Sequence, residues 1–205
     1  MPQRAVRLSL VSGKAHYERV LSPLSAAKRS VWIATANLKE LMIEDERVRP
    51  GRRRARGRTA YRSVLELFDE LAERGVELRI LHASPPSRPF RDELDQHPRL
   101  FRGGLALRQC PRVHLKVVIV DGEQLYLGSA NWTGAGLGAK GEHRRNFELG
   151  MLTDDESMLD AVQALYEHIW RGEPCATCRL RDRCEAPLSD LLPLKNTKKR
   201  QPRRR

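Results

Sequence analysis

One stretch of the sequence, VHLKVVIVDGEQLYLGSANWT at residues 113–133, constrains the fold more than any other. Apolar residues run from Val117 to Val120 and again from Leu125 to Leu127, with Asp121-Gly122 between the two runs. Two apolar runs joined by such a turn predict a β-hairpin. The open end of this hairpin carries four polar side chains, which a hairpin buried only for packing does not need.

The four polar residues are His114 and Lys116 before the first strand, and Ser129 and Asn131 after the second. Side chains two positions apart in a strand project to the same face. A two-residue turn at Gly122-Glu123 would place Lys116 opposite Ser129 and His114 opposite Asn131. The sequence therefore predicts that the four side chains converge in one small patch.

Such a patch suits a phosphate group. His114 supplies a nucleophile or base and Lys116 a fixed cation, while the neutral side chains donate hydrogen bonds to non-bridging oxygens as charge develops. The patch has no carboxylate cluster for Mg²⁺ and no second nearby histidine for zinc. We therefore expect metal-independent phosphoryl transfer through histidine. Asp121 lies at the turn on the other face, so we expect its role to be indirect.

The residues HLKVVIVDGEQLYLGSAN fit HxKxxxxDxxxxxxGSxN at every fixed position, which resembles the HKD signature of the phospholipase D superfamily. The resemblance implies an α/β fold with a mixed β-sheet flanked by helices. It gives His114 the role of the nucleophile that forms a phosphohistidine, and Glu148 in NFELG that of orienting its imidazole. The other motif positions would bind phosphate oxygens or, at the turn, give structural support: Lys116, Ser129, Asn131 and Asp121.

Transfer through histidine also needs a general acid for the leaving oxygen and a base for water. Most members of the superfamily carry two motifs in one chain, whereas this sequence carries one. The other five histidines have no lysine two positions on: His16, His82, His97, His143 and His168. Single-motif members form homodimers, so the resemblance implies one active site built from His114 of two copies.

Around the motif, the chain alternates predicted strands and helices, as is typical of α/β domains. We expect helices at 16–29, 60–75 and 154–170, strands at 30–37, 76–83, 105–110 and 145–152, and a polar connection at 85–98.

The expected organisation is a catalytic domain at 1–170 with an arginine-rich loop insertion at 47–62. A cysteine-rich segment at 171–187 and a basic tail at 188–205 follow. No apolar run is long enough to span a membrane, and the N-terminus lacks a secretory pattern, so we expect a cytoplasmic location.

The net charge of +12 is unevenly distributed. Residues 47–62 hold eight arginines and the tail from Lys195 holds seven Lys/Arg, and neither segment contains an acid. These fifteen charges leave the remainder of the chain at −3, so the basic character resides in two segments. Such runs are typical of contact with a polyanion. The expected nucleic-acid contacts are Arg52, Arg53, Arg54, Arg56, Arg144, Arg145, Lys198 and Lys199.

The motif does not choose among phosphodiesters, but composition favours a nucleic acid. Basic segments suit contact with a phosphate backbone, and there is no amphipathic, aromatic-rich stretch for a membrane surface. We expect an endonuclease acting on DNA or RNA. A cardiolipin-type phospholipid phosphodiesterase or phosphatidyltransferase is an alternative, because basic tails also bind anionic bilayers. A non-catalytic nucleic-acid-binding accessory protein is another.

The segment CATCRLRDRC places Cys175, Cys178 and Cys184 at a spacing that favours a structural metal site. Cys110 or His168 would supply the fourth ligand. With a distant cysteine the pattern resembles the iron–sulfur staple of some nucleases of unrelated fold. A [4Fe–4S] cluster and Zn²⁺ are equally compatible, and free thiols are the alternative. Histidine chemistry would need no cofactor.

Overall fold

A seven-stranded mixed β-sheet forms the centre of the computed structural model, which describes residues 4–45, 47 and 60–191. The strands are β1 (Ser9–Ser12), β2 (Ser30–Thr35), β3 (Met42–Glu44), β4 (Tyr61–Ser63), β5 (Glu77–His82), β6 (Ala106–Gln109), β7 (Val117–Val120), β8 (Gln124–Gly128) and β9 (Leu149–Thr153). The order across the sheet is β1-β9-β8-β7-β2-β5-β6, and β3 pairs with β4 separately. Strands β2, β5 and β6 are parallel and the other neighbours antiparallel. The predicted mixed α/β architecture is confirmed.

Helices cover the sheet. They are α1 (Lys14–His16), α2 (Val64–Glu73), α3 (Arg88–Leu94) and α4 (Glu156–Trp170). The helix predicted over 16–29 is instead three short pieces, because α1 runs into a π-helix at Tyr17–Leu21 and a 3-10 helix at Ser22–Ala26. Pro23 lacks a backbone N–H and cannot continue an α-helical ladder. The predicted polar connection at 85–98 contains α3.

Side-chain caps fix where the two long helices begin. The Ser63 hydroxyl accepts a hydrogen bond from the Leu65 N–H at 3.0 Å, and the Asp155 carboxylate accepts one from the Met158 N–H at 2.9 Å. Each cap satisfies an amide that has no partner within the first helical turn. The helices expected at 60–75 and 154–170 are therefore confirmed, with starts a few residues later than predicted.

Two apolar cores lie on opposite faces of the sheet. One contains Phe68 of α2 and Val118 of β7, together with the N-terminal helical pieces. The other contains Val117 of β7 and Tyr166 of α4, and Leu188 from the C-terminal segment joins it. Neighbouring residues of β7 thus enter different cores, as strand alternation requires. The cysteine-bearing segment is consequently packed on the α4 face.

The β7–β8 hairpin closes through the three-residue loop Asp121–Glu123, so the predicted two-residue turn is wrong. Val120 pairs with Gln124. Asp121 and Gly122 both have left-handed backbone conformations, with φ of 56° and 67°. The Asp121 N–H donates to the Ser30 carbonyl at 2.8 Å, which draws Asp121 toward β2 and out of the ladder with β8.

This register removes the cross-strand pairs expected at the open end. Lys116 lies opposite Gly128, whose N–H donates to the Lys116 carbonyl at 3.1 Å. Ser129 hydrogen-bonds instead to β9, where its N–H donates to the Leu149 carbonyl at 3.0 Å. The polar residues approach one another through loops and β9, and not as paired positions of one hairpin.

Tyr126 explains the glycine that precedes Ser129. Gly128 and Gly150 pair across β8 and β9, and the buried Tyr126 ring lies against both. A Cβ atom added at either glycine would stand 2.3 Å from an atom of the tyrosine side chain. The glycines are required by this close approach.

Candidate active site

The predicted chemical residues lie at the end of the sheet where β2 stops and β7 begins. His114 and Lys116 belong to the segment that enters β7, and Asn131 follows β8. Glu148 immediately precedes β9, the strand that pairs with β8. Loops from three strands therefore bring these residues to one edge, where His114 and Ser129 are exposed.

His114 and Lys116 are in direct contact. The Lys116 Nζ lies 3.0 Å from each ring nitrogen of His114 and donates to the His114 carbonyl at 2.8 Å. The Lys116 ammonium is thus held against the His114 side chain. Burial lowers the pKa of Lys116, and the charge of Glu148 partly opposes that shift.

Asn131 is held by the end of β2. Its Oδ1 accepts hydrogen bonds from the N–H groups of Ala36 and Asn37, both at 3.1 Å, and lies 3.3 Å from the Thr35 hydroxyl oxygen. With Oδ1 occupied in this way, the NH₂ group is the donor that can meet a substrate oxygen. The neighbouring Trp132 is buried and stacks on Phe68, so it is a packing residue.

Ser129 and Glu148 form a second polar pair. The Ser129 hydroxyl donates to one oxygen of Glu148, and the Asn146 amide donates to the other at 3.1 Å. The Leu149 N–H in turn donates to the Ser129 hydroxyl oxygen at 3.1 Å. Both oxygens of Glu148 are thus engaged on the Ser129 side. Its predicted role in orienting His114 stays a prediction.

An open groove of about 500 Å³ borders this pair. The residues that line it are Ser12, Gly13, Ser129, Asn146, Phe147, Glu148 and Leu149.

Asp121 lies at the opposite end of β7 and does not join the site. Its carboxylate accepts hydrogen bonds from three consecutive backbone N–H groups, those of Lys28, Arg29 and Ser30, at 2.7–3.1 Å. Burial alone would raise the pKa of Asp121, but these amides more than offset it and hold the pKa below its ordinary value. Asp121 therefore anchors the hairpin loop to the start of β2.

Thr35 is a site residue that the sequence reading missed. Its hydroxyl accepts from the Trp132 N–H at 2.9 Å and donates to the Asn37 carbonyl at 2.9 Å, beside Asn131. The available signal was a hydroxyl residue near the end of the otherwise apolar strand SVWIATAN.

Four of the other histidines are buried or contact a glutamate. His16 and His82 are buried, and burial lowers the pKa of each. His97 contacts Glu93 at 3.3 Å, and His168 contacts Glu173 at 2.8 Å. His143 is exposed on a 3-10 turn at residues 142–144.

The predicted nucleic-acid contacts fall in two groups. Arg144 is exposed near the site, and the Arg145 Nε donates to the Lys140 carbonyl at 2.7 Å. The remaining six lie outside the described residues: Arg52, Arg53, Arg54, Arg56, Lys198 and Lys199.

The two described arginines at the ends of the 47–62 segment are engaged with acids. Arg47 contacts Asp45, Glu66 and Glu70 at 2.8–2.9 Å. Arg62 is buried and contacts Glu70 at 2.6 Å.

Within residues 4–45, 47 and 60–191, no group of three or more His, Cys, Asp or Glu side chains is arranged to hold a metal ion. Cys110, Cys175, Cys178 and Cys184 are free thiols that line one small cavity. In the part of the chain that the structure describes, no helix is sufficiently long and apolar to cross a bilayer.

The family model described as cardiolipin synthase, phospholipase D-like domain, matches residues 20–170. The match spans most of the chain and contains the complete motif. The chain therefore belongs to this phospholipase D-like family. A comparison with curated protein sequences gives no match.

Solved structures share the fold. NucT from Helicobacter pylori superposes with a TM-score of 0.54 at 17% identity, covering 80% of this chain and 94% of that one. Nuc, a phospholipase D family member from Salmonella typhimurium, gives 0.55 at 18% identity, with 80% and 95% coverage. The archaeal chromatin protein TrmBL2 gives 0.52 at 16% identity, with 80% and 52% coverage. Identities this low establish a common fold alone.

Proposed function

We propose that this protein is a metal-independent phosphodiesterase that cleaves DNA or RNA through a phosphohistidine formed on His114. The observation that carries the proposal is that the His114 imidazole contacts the Lys116 ammonium at one edge of the sheet, where an amide anchored to β2 and a hydroxyl also lie. This set matches the needs of phosphoryl transfer, because it combines a nucleophile with fixed donors for the phosphate oxygens.

In the first step a ring nitrogen of His114 attacks phosphorus. The P–N bond forms as the bond to the leaving oxygen breaks, and a general acid protonates that oxygen. In the second step a water attacks the phosphohistidine and gives its proton to the same group, now a base, which releases His114. Lys116 and the NH₂ group of Asn131 stabilise the charge on the non-bridging oxygens in both steps.

We assign the general acid to His114 of a second copy of the chain. Within the chain, four of the other five histidines are buried or paired with a glutamate. His143 is exposed and is the intrachain alternative. A homodimer with its two-fold axis at the site would supply both histidines from one motif.

An exposed apolar strip beside the site supports such a dimer. Leu10 on β1 pairs with Met151 on β9, and Leu149 follows on the same face, with 67%, 36% and 59% of their surfaces exposed. Phe147 is fully exposed at the entrance to β9. This strip is continuous with the groove at Ser129, so a second copy covering it would meet the catalytic edge.

Charge favours a nucleic-acid substrate, since the basic segments at 47–62 and from Lys195 suit a phosphate backbone. TrmBL2, a relative in fold, binds DNA. A phospholipid phosphodiesterase or cardiolipin-type phosphatidyltransferase is the second candidate, and the name of the matching family model favours it. A non-catalytic nucleic-acid-binding accessory role is the third.

One assay separates these candidates. The full chain and His114→Ala are incubated with DNA, RNA and cardiolipin vesicles without added divalent metal, with His168→Ala as a matched control on an exposed histidine. We expect wild type and the control to cleave a nucleic acid and His114→Ala to lose at least about 10³-fold activity. Cleavage of lipid alone would favour the second candidate, and binding without cleavage the third. Activity that survives in His114→Ala would rule out the phosphohistidine.

Subunit mixing tests the shared site. When a ninefold excess of His114→Ala chains exchanges with wild type, only about a tenth of wild-type chains find a wild-type partner, so activity per wild-type chain should fall about tenfold. Undiminished activity, with exchange verified by labelled chains, would contradict the shared site. His143→Ala should retain activity. Loss of activity in this variant would instead identify His143 of the same chain as the general acid.

A further inference from the structure

Four cysteines that are distant in sequence meet on the α4 side of the sheet. The cysteine cluster is Cys110, Cys175, Cys178 and Cys184, and all four line a cavity of about 20 Å³. Cys110, Cys175 and Cys178 also line an adjoining cavity of about 130 Å³. All four are free thiols of intermediate burial. The smaller cavity alone exceeds the roughly 10–15 Å³ that one water molecule occupies by the same kind of measure.

Hydrogen-bond donors point at two of these sulfurs. Burial raises the pKa of the Cys110 thiol, and the neighbouring Arg112 N–H acts in the opposite direction. The Leu180 N–H and the Arg112 side chain donate to the Cys178 sulfur. In both cases the amide two residues beyond the cysteine provides the contact. Backbone amides beside cysteine sulfurs are typical of the surroundings of thiolate-bound metals.

Positive charge also surrounds the cluster. The guanidinium of Arg181 interacts electrostatically with Cys175 and Cys184, and that of Arg112 with Cys178. Several thiolates close together repel one another unless cations offset their charge. The predicted alternative ligand His168 does not line either cavity and is paired with Glu173. The geometry therefore favours Cys110 as the fourth member.

We propose that the cysteine cluster binds a thiophilic metal centre, either Zn²⁺ or a [4Fe–4S] cluster, which fixes the loop leading to His114. The four sulfurs surround the cavity without forming a closed ligand set, so the proposal requires their side chains to rotate inward as metal binds. Coupling of metal binding to local ordering is usual for cysteine sites. The C-terminal segment that carries three of the ligands consists of short 3-10 turns, which can adjust.

The position of Cys110 connects this centre to the catalytic edge. Cys110 stands four residues before His114. Its N–H donates to the His82 carbonyl at the end of β5 at 2.8 Å, and its carbonyl accepts from the Val113 N–H at 2.9 Å. Holding the Cys110 sulfur would therefore fix both ends of the 110–113 turn. The centre would act as a positioning element and would take no part in bond breaking.

Metal content is the direct test and does not depend on nuclease activity. The full chain is purified anaerobically without chelator. Its zinc, iron and acid-labile sulfide contents are measured, and its absorption at about 400 nm is recorded. We expect about one zinc or about four irons per chain. Cys110→Ser and Cys178→Ser should lose most of this metal, whereas His168→Ala should keep it. A wild-type chain without zinc or iron, or cysteine variants with full metal, would overturn the proposal.

A thiol count keeps the test decisive if the serine variants fail to fold. In the metal-bound wild type we expect few reactive thiols, rising to about four after chelation. Disulfides, detected as thiols that appear only after reduction, would overturn the proposal. In chelated protein, kcat should fall by a larger factor than KM rises, because the 110–113 turn positions His114 without touching substrate. Reloading with the metal found in the wild type should restore kcat.

Discussion

The two ends of the β7–β8 hairpin use polar residues in opposite ways. At the turn, Asp121 accepts hydrogen bonds from three backbone amides of the Lys28–Ser30 segment, and its ionised form is fully engaged. At the open end, His114 and Ser129 are exposed, and the NH₂ group of Asn131 is the free end of an anchored amide. One short motif thus contains an anchor whose interactions are complete and a site whose interactions await a substrate.

This contrast teaches that a sequence signature can combine residues with unrelated physical tasks. A satisfied carboxylate contributes to the free energy of unfolding and leaves little for a substrate. An exposed imidazole and ammonium contribute little to stability and remain available for chemistry. Substitutions at the two ends should therefore separate activity from stability.

Apart from loss of His114 itself, the largest expected effect is that of Lys116→Met. Loss of the ammonium removes the cation on the phosphate and the donor to His114, so kcat/KM should fall about 10²–10³-fold. The free energy of unfolding, measured by thermal melting, should change by less than about 0.5 kcal/mol. Lys28→Met, at the turn end, is the control, because it changes a side chain there while leaving the backbone N–H for Asp121. A similar loss of activity in both variants would erase the difference between the ends.

Asn131→Asp should lower kcat/KM by about 10²-fold. The new carboxylate still accepts from the Ala36 and Asn37 amides, so the loop stays anchored, but it replaces a donor with an anion facing phosphate. Asn131→Ala should lose the anchor as well and unfold more easily by about 1–3 kcal/mol. Activity and thermal unfolding are measured on both variants. Equal stability of the two would argue that the β2 anchor contributes nothing.

Asp121→Asn should have the reverse signature. Asparagine tolerates the left-handed conformation at this position, but it removes the charge that three amides contact. The unfolding free energy at pH 7 should fall by about 1–3 kcal/mol, while kcat of the folded protein changes less than about twofold. Glu123→Gln in the same loop is the control, since its exposed ion pair with Arg29 contributes at most about 1 kcal/mol. A large fall in kcat for Asp121→Asn at unchanged stability would place Asp121 in the chemistry.

The smallest and most specific effect is the pH dependence of the difference in unfolding free energy between wild type and Asp121→Asn. The folded-state pKa of Asp121 is lowered from an ordinary value of 3.8, so its stabilisation is fully present above that value and is lost as pH falls toward the folded-state pKa. Denaturant unfolding of wild type and Asp121→Asn should therefore converge below about pH 4. A difference that stays constant to lower pH would show that the carboxylate charge is not its cause.

The sequence predicted the architecture because alternation and helical spacing are local properties. The strands β2 and β5 to β9 and the two long helices follow from where apolar residues stand, whereas β1, β3 and β4 were not predicted. The interrupted helix at 16–29 was missed because Pro23 outweighs the surrounding propensity. The helix α3 was missed because a polar, proline-rich sequence hides a single buried residue, Phe90.

The cross-strand pairing predicted for the open end of the hairpin rested on an incorrect register. The predicted cross-strand pairs assumed a two-residue turn. The Asp121 N–H instead donates to the Ser30 carbonyl, a partner 91 positions away in the chain. No local pattern encodes such a contact. The same applies to Thr35, whose hydroxyl meets Trp132 only after β2 and the loop after β8 are assembled.

The Tyr126 ring against Gly128 and Gly150 restricts the routes by which this sequence can change. An alanine at either glycine meets the ring unless residue 126 is already smaller, and a smaller residue there leaves a cavity in the core until the glycines fill it. Each single step is thus costly and only concerted changes are tolerated. The small residue beside Ser129 would persist even in descendants in which Ser129 itself had changed, as long as the tyrosine remained.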